Sequence, residues 1–441
     1  MKGQGHWHRR TRVAFLAGML AVAMAAGLAG ALAVPTRAAG SPVTITWWSW
    51  SHDAELENVK KYVAQFEKAN PDIKVNLVYV NWTDIPKKLP IAVAGGSAPD
   101  VVNVDPYWAY DLADAGVYYD LTELAQRDLK ADPAYDIADI FPGALQMFQT
   151  MDGRQFGWPD NLDIQGFFYN TDLYDAAGLV SPNDQPWNWQ TMLEDAIKLT
   201  RDTNNDNKPE QYGFSEWYFD WYQLVLANGG QIITSDLKNA LRSSAARQAM
   251  EYWYKFNQAK VIAPYVTGQP NPAQMFNQGK VGIQPCGYYL SLTLNKLERP
   301  IGYDVTNHPL SPIGKRAATA GGGGYIIPKT SKHVEEAWRL IKFLTSKETL
   351  AQVLQQPGAM PLRRSQVGMA FSATFPPKHK AVFGQILGYT VSSPQVPHWS
   401  TVREKIMGDM GKYFSGQVSM DQALDQLDKD LAVIYRDRAT K

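Results

Sequence analysis

Residues 43–50 read Val-Thr-Ile-Thr-Trp-Trp-Ser-Trp, a run of β-branched and aromatic side chains that fits a strand. The alternation that begins here decides the fold. From Asp53 to Asn70, Leu56, Val59, Val63 and Phe66 recur at helical spacing, with Ser51 or Asp53 as cap and Asn70-Pro71 as stop. Residues 73–80 return to strand character. A second helix ends at Gly95-Gly96, and Asp100-Val-Val-Asn-Val-Asp105 is a third, short strand. Strand and helix alternating in this order imply a parallel sheet with helices on its faces. Ligands in such sheets sit beyond the carboxyl ends of the strands, which places residues 50–53 and 105–108 at one rim.

Upstream, the chain changes character. Lys2, Arg9, Arg10 and Arg12 precede an Ala/Leu/Val-rich run from Val13 to Val34, and small residues come next at Ala38-Ala39. This is the pattern of a secretory signal over 1–39, with cleavage near Ala38 or Ala39 favoured over a retained membrane anchor. Arg9-Arg10 hints at a twin-arginine signal. No cysteine stands nearby to carry a lipid. The whole 441-residue chain balances 43 Lys+Arg against 43 Asp+Glu. Five of the basic residues lie in 1–39 and none of the acids, so the remainder holds 38 against 43, a net charge of −5. The body is expected to be exported and mildly acidic, with no nucleic-acid role, since that would call for a basic surface. A lone Cys286 excludes an internal disulfide and a thiolate metal site.

Downstream, helices are expected over 189–200, 245–258 and 334–355, and a short strand over 281–284. Four consecutive glycines, Gly321–Gly324, suit a flexible crossing between domains or close backbone packing. Ser419-Met-Asp-Gln422 is a capping-box pattern that opens a last helix. Its Met420, Leu424, Leu427, Leu431 and Ile434 share one face.

Two features point to chemistry. Aromatic residues gather in loops and after strands, interleaved with acids: Asp105-Pro-Tyr-Trp108, Trp158-Pro-Asp-Asn-Leu-Asp163 and Glu216-Trp-Tyr-Phe-Asp-Trp221. A pyranose presents a C–H face and a rim of hydroxyls, so it calls for flat rings below and carboxylates around. The plainer reading makes many of these rings core, and Trp47 and Trp48, on opposite faces of one strand, cannot both face solvent. The second feature is Asp202-Thr-Asn-Asn-Asp-Asn-Lys-Pro-Glu210. Asp202, Asn204 and Asp206, with Lys208 through its carbonyl and Glu210, match the first half of a Ca²⁺ loop. Asn207 replaces the loop's glycine and Gly213 its final glutamate. The ion would be structural; the alternative is a solvated Asx-rich turn. No zinc-protease, P-loop or nucleophile-elbow motif is present, and no other cofactor is expected.

The ordered set of short motifs resembles the extracytoplasmic solute-binding proteins of carbohydrate ABC importers, the maltose-binding-protein-like group. It runs through Ile45-Thr-Trp-Trp-Ser-Trp50, Gly95-Gly-Ser-Ala-Pro-Asp100, Ala113-Asp-Ala-Gly116, Phe156-Gly-Trp-Pro159, Phe168-Tyr-Asn170, Phe276-Asn-Gln-Gly-Lys-Val-Gly282, Gly324-Tyr-Ile-Ile-Pro328, Glu336-Ala-Trp338 and Gly358-Ala-Met-Pro361. The resemblance implies an α/β, two-lobe periplasmic-binding-protein fold of type II-like topology, with hinged lobes around a central cleft. One lobe would take 40–163 plus 321–367 and the other 164–320 plus 368–441, with crossings near 163–167, 315–324 and 363–368. It implies a non-enzymatic, monomeric protein, in the periplasm or at the cell surface. That protein would capture a mono- or oligosaccharide and deliver it to an ABC permease. By the same resemblance His52, Asp53, Tyr107, Trp108, Asp163, Glu216, Tyr218, Trp221, Tyr289, Trp399 and Arg403 are ligand contacts. Asp160 is added for its place beside a crossing. Tyr289 stands where the family often has Trp. Some relatives carry a Ca²⁺-binding insertion like the Asp202 loop. The alternatives are a secreted carbohydrate-active enzyme using two of the same acids, or the same fold holding a non-sugar solute.

Overall fold

The computed structural model describes residues 41–436 other than 52, 130, 131, 133, 151, 207, 218, 267, 268, 373 and 395. The expected export segment lies outside the described residues. Strand β1 (Val43–Ser49) runs parallel between β2 (Ile73–Tyr79) and β3 (Val101–Val104), as the opening stretch predicts. Burial in β1 alternates, so Ile45, Trp47 and Ser49 turn inward. The Trp47 indole N–H is satisfied by Asn103 Oδ1 at 2.8 Å, and Trp48 is the half-buried member of the pair. The intervening helices span Asp53–Ala69 and Ile85–Ala94. Fully burying Phe66 from the first of them contributes about 1.5–3 kcal/mol.

Beyond β3 the sheet continues through two long antiparallel strands, β4 (Trp158–Asn170) and β8 (Ala318–Ile326). The order is β2-β1-β3-β8-β4. The first half of β4 pairs with β8. The second half pairs with β6 (Val281–Gly287) and β7 (Tyr303–Thr306), and β5 (Tyr212–Phe214) lies parallel to β6. The short β9 (Thr390–Ser392) adds to the start of β8.

The apolar residues form one cluster on the first half of this sheet and two on the second. The first draws on Ile45 to Leu162 and Tyr325 to Leu362. The others draw on Ile164 to Ala318 and Met360 to Tyr435. β4 passes from one body to the other. Trp158 and Leu162 sit in the first cluster, while the neighbours Phe167 and Phe168 point to opposite faces and enter the second and third. The molecule therefore has two α/β lobes, and β4 and β8 both cross between them.

Gly321–Gly324 belongs to β8 and is paired throughout, Asp163 with Gly321 and Pro159 with Gly324. The run lies where β8 crosses between the lobes, and it packs closely there. A Cβ on Gly322 would lie 2.5 Å from Asn161 O, and one on Gly324 would lie 2.6 Å from the Phe148 ring. The last helix is Met420–Ile434, with the Ser419/Gln422 capping box formed as expected. Cys286 is a free, buried thiol in β6. Among the described residues, no helix is long and apolar enough to cross a membrane.

Candidate functional site

A cavity of about 1070 Å³ opens between the lobes where β4 and β8 cross. Its floor is the crossing itself, with Asp160–Asp163, Gln165 and Gly321–Gly323. The first lobe contributes Trp50, Trp82, Asp105 and Tyr107, and the second Glu216, Trp217, Asp220, Tyr222, Tyr289, Trp399 and Arg403.

Asp105 ends the short β3 and caps the helix Pro106–Asp114, with Oδ1 accepting from Tyr107 N at 2.8 Å. Its Oδ2 accepts the Trp82 indole N–H at 3.0 Å. Burial pushes this carboxyl up to about 6 against the pull of those two bonds. Asp163 faces it from the crossing. Burial, then the Asp105 charge, push Asp163 up to about 7. Its Oδ1 is buried with no hydrogen-bond partner among the described residues. The approach depends on Gly287, where a Cβ would lie 2.1 Å from Asp163 Oδ1 and 2.4 Å from the Tyr289 ring. Burial also raises Glu216. Asp160 shares a hydrogen bond with the Tyr325 hydroxyl. Behind Gln165, Gln223 donates to its Oε1 at 3.0 Å and is itself bonded by His308 at 3.2 Å. Burial drives His308 down to about 3, so this relay stays uncharged.

Arg403 is the one basic side chain of the cavity wall among the described residues. It stands on the helix Trp399–Phe414, donates to Asp220 within its own lobe, and donates to the Tyr107 hydroxyl across the cleft at 2.7 Å. Burial disfavours its charge, but Asp220, Tyr222 and Tyr107 outweigh that and hold the guanidinium above its ordinary range. Next to it, the Ser400 hydroxyl donates to Asp111 of the first lobe. The lobes are thus joined by hydrogen bonds at the mouth of the cleft. Trp399 lies edge-on to Tyr222, and its indole N–H has no partner among the described residues.

The sequence-derived contacts divide. Tyr107, Asp160, Asp163, Glu216, Tyr289, Trp399 and Arg403 all line this one cavity. His52 and Tyr218 lie outside the described residues. Asp53 opens the first helix beside Trp50 and Ser51, which line the cavity. Trp108 and Trp221 are corrections. Trp108 is 4% exposed and packs edge-on against Trp50 and Trp82. It follows Tyr107 on a helix, about 100° further round, so the two rings cannot share the cleft face. Trp221 is 2% exposed against Phe414, while its neighbours Asp220 and Tyr222 take the cleft side. Additions among the cavity residues include Asp105, Trp217 and Asp220, which stand inside the aromatic and acidic clusters noted above, Trp50 at the end of the opening stretch, Tyr222, and Trp82. Trp82, in Tyr79-Val-Asn-Trp-Thr-Asp84, lies outside the clusters noted above.

Far from the cleft, the 202–210 loop brings carboxylate oxygens of Asp202, Asp206 and Glu210 within 4.8 Å of one another. Glu210 accepts from Thr203 N at 2.8 Å and Asn204 Nδ2 at 2.8 Å, Asn204 Oδ1 from Asp206 N at 2.8 Å, and Asp206 Oδ1 from Lys208 N at 2.8 Å. Three converging carboxylates are a hard-oxygen set suited to Ca²⁺. Gly213 lies in β5, where a Cβ would fall 1.9 Å from Ala196 O, so the twelfth position has no room for a glutamate.

Residues 50–351 match the family model described as bacterial extracellular solute-binding protein. A binding protein of Brucella abortus is 25% identical over 402 residues, covering 89% of this chain and 93% of that one. A lactose-binding protein of Rhizobium radiobacter is 23% identical over 348 residues, 76% of this chain and 78% of that one. Among solved structures, an ABC substrate-binding protein of Listeria monocytogenes in complex with cycloalternan superposes with a TM-score of 0.78 at 25% identity, over 90% of this chain and 100% of that one.

Proposed function

The chain belongs to the family of bacterial extracellular solute-binding proteins, and we propose that it captures a saccharide between its lobes for an ABC importer. The observation that carries this is the lining of one interlobe cavity by five carboxylates, of Asp105, Asp160, Asp163, Glu216 and Asp220, interleaved with the rings of Trp50, Trp82, Tyr107, Tyr289 and Trp399. Carboxylates accept from sugar hydroxyls, and rings cover the C–H faces. The Trp399 indole N–H and Asp163 Oδ1 are a donor and an acceptor that a hydroxyl satisfies. The one guanidinium is already held by Asp220, which disfavours a phosphorylated solute. Relatives that bind lactose, cycloalternan and maltose support the ligand class.

In this reading the protein is an exported monomer that hands its cargo to the permease's membrane subunits. The lobes move as bodies about the β4–β8 crossing, and ligand draws them to the closed form. The 202–210 loop holds a structural Ca²⁺ through Asp202, Asn204, Asp206, the Lys208 carbonyl and Glu210. A chelator that leaves the melting temperature unmoved refutes that part alone.

The test is a thermal-shift panel of neutral mono- and oligosaccharides. A binder at a hundred times its Kd stabilises by about 2.7 kcal/mol, and a panel without any shift overturns the proposal. Incubating the same sugars with the protein and looking for shortened products separates capture from hydrolysis.

A further inference from the structure

The cavity exceeds the roughly 300–1,000 Å³ that encloses a drug-sized ligand, and its wall does not end at the mouth. Trp217 lines the cavity and is 39% exposed. Outside it, the ring of Tyr265 stacks on Trp217 with centroids 5.2 Å apart and planes 28° apart. Tyr265 is 63% exposed, and Val266 beside it is exposed as well. Large rings left in water next to a ligand cleft call for an occupant. Both rings extend from backbone that is tied into the second lobe. Ser215, just before Glu216, donates its N–H to Ile283 O at 2.9 Å in the second lobe. Ala263, two residues before Tyr265, donates to Phe214 O at 2.8 Å. Glu216, inside the cavity, is the sequence neighbour of Trp217, so the platform begins where the cleft's acids end.

We propose that Trp217 and Tyr265 form an outer stacking subsite, and that the ligand is an oligosaccharide whose terminal units leave the cleft and lie on these rings. The inference rests on the saccharide reading above and adds ligand length to it. A flat aromatic step with few fixed polar partners holds a sugar by its C–H face and is tolerant of linkage. It acts only on units beyond those enclosed in the cleft.

Calorimetry on the full exported chain tests this, with maltose through maltohexaose and mannobiose through mannohexaose as probes. Wild-type affinity rises with chain length past the disaccharide. Tyr265→Ala cuts the ratio of hexasaccharide to disaccharide affinity roughly three- to tenfold, Tyr265→Phe retains it, and Trp217→Ala lowers it further. Tyr265 is largely exposed, so its loss does not threaten the fold. A disaccharide that binds with no gain on lengthening overturns the platform and leaves the function standing. So does a gain that survives in Tyr265→Ala. Failure of every sugar in both series and in the thermal-shift panel overturns the saccharide reading and the platform with it.

Discussion

The cleft and the flank of the first lobe treat their charged groups in opposite ways. On the flank, Asp128 accepts from Arg127 and Lys342 and from the Trp338 indole at 3.1 Å. The Arg127 and Lys342 contacts outweigh burial and hold its carboxyl well below the ordinary range. Arg363, fully buried, donates to the carbonyls of Tyr135 at 2.8 Å, Asp136 at 3.0 Å and Thr345 at 3.1 Å, and lies over the Tyr135 ring. In the cleft, Asp105 and Asp163 face one another with no cation between them among the described residues, and burial pushes both up. On the flank the protein supplies most of the partners, although the Arg363 Nε keeps none among the described residues. In the cavity the Asp163 carboxyl is raised and its Oδ1 has no partner among the described residues, and such a perturbed group marks a candidate site.

That contrast breaks first at Arg363. Arg363→Met should destabilise the protein by about 3–5 kcal/mol, because two buried carbonyls and one half-buried carbonyl lose their donor at once. Urea denaturation measures it, and a loss under about 1 kcal/mol would show that these bonds contribute little to the fold.

Asp163→Asn should do the reverse. The folded carboxyl titrates near 7 and the unfolded one near its ordinary 3.8. Its contribution to stability is therefore fully present below about pH 4 and lost as pH rises through 7. The asparagine variant should match wild type near pH 4 and exceed it by about 1–3 kcal/mol at pH 8, with the cleft's access to solvent keeping the figure modest. Sugar affinity should fall at least tenfold in the same variant, as a hydroxyl loses its charged acceptor. A variant destabilised at pH 8 would place Asp163 with the flank's structural charges.

The sequence separates these two regions unevenly. The parallel sheet was legible from residues 43–105, because strand and helix alternate there with clean periods. The ordered motifs carried the rest of the two-lobe architecture. Within the cleft, the resemblance marked Asp163 and Glu216, while Asp105 and Asp220, in the same kind of cluster, carried no mark of their own. A tryptophan serves core and site equally well, and only the helical turn from Tyr107 to Trp108, or from Trp221 to Tyr222, decides which it does. Trp82 had no local signal, because its cavity position depends on the fold bringing the loop after β2 against Asp105. The role of Arg403 was half legible: a cation near the site was foreseen, its bond across the lobes was not.

That bond offers the smallest and most selective test of the contrast, since Arg403 belongs to both regimes. Its tie to Asp220 lies within the second lobe and is satisfied in every state of the cleft. Its bond to the Tyr107 hydroxyl exists only while the lobes meet. Tyr107→Phe removes the second and keeps the first, along with the ring face under the guanidinium. One hydrogen bond to a charged group contributes about 1.5–3 kcal/mol at most, and less at a wet cleft mouth. Stability should therefore change by under about 1 kcal/mol, while the ligand-free protein shifts toward open forms that small-angle scattering reads as a larger radius of gyration. Saturating sugar should restore the wild-type radius. If the radius of the ligand-free variant is unchanged, Ser400 and Asp111 hold the lobes together without it, and Arg403 is a structural charge after all.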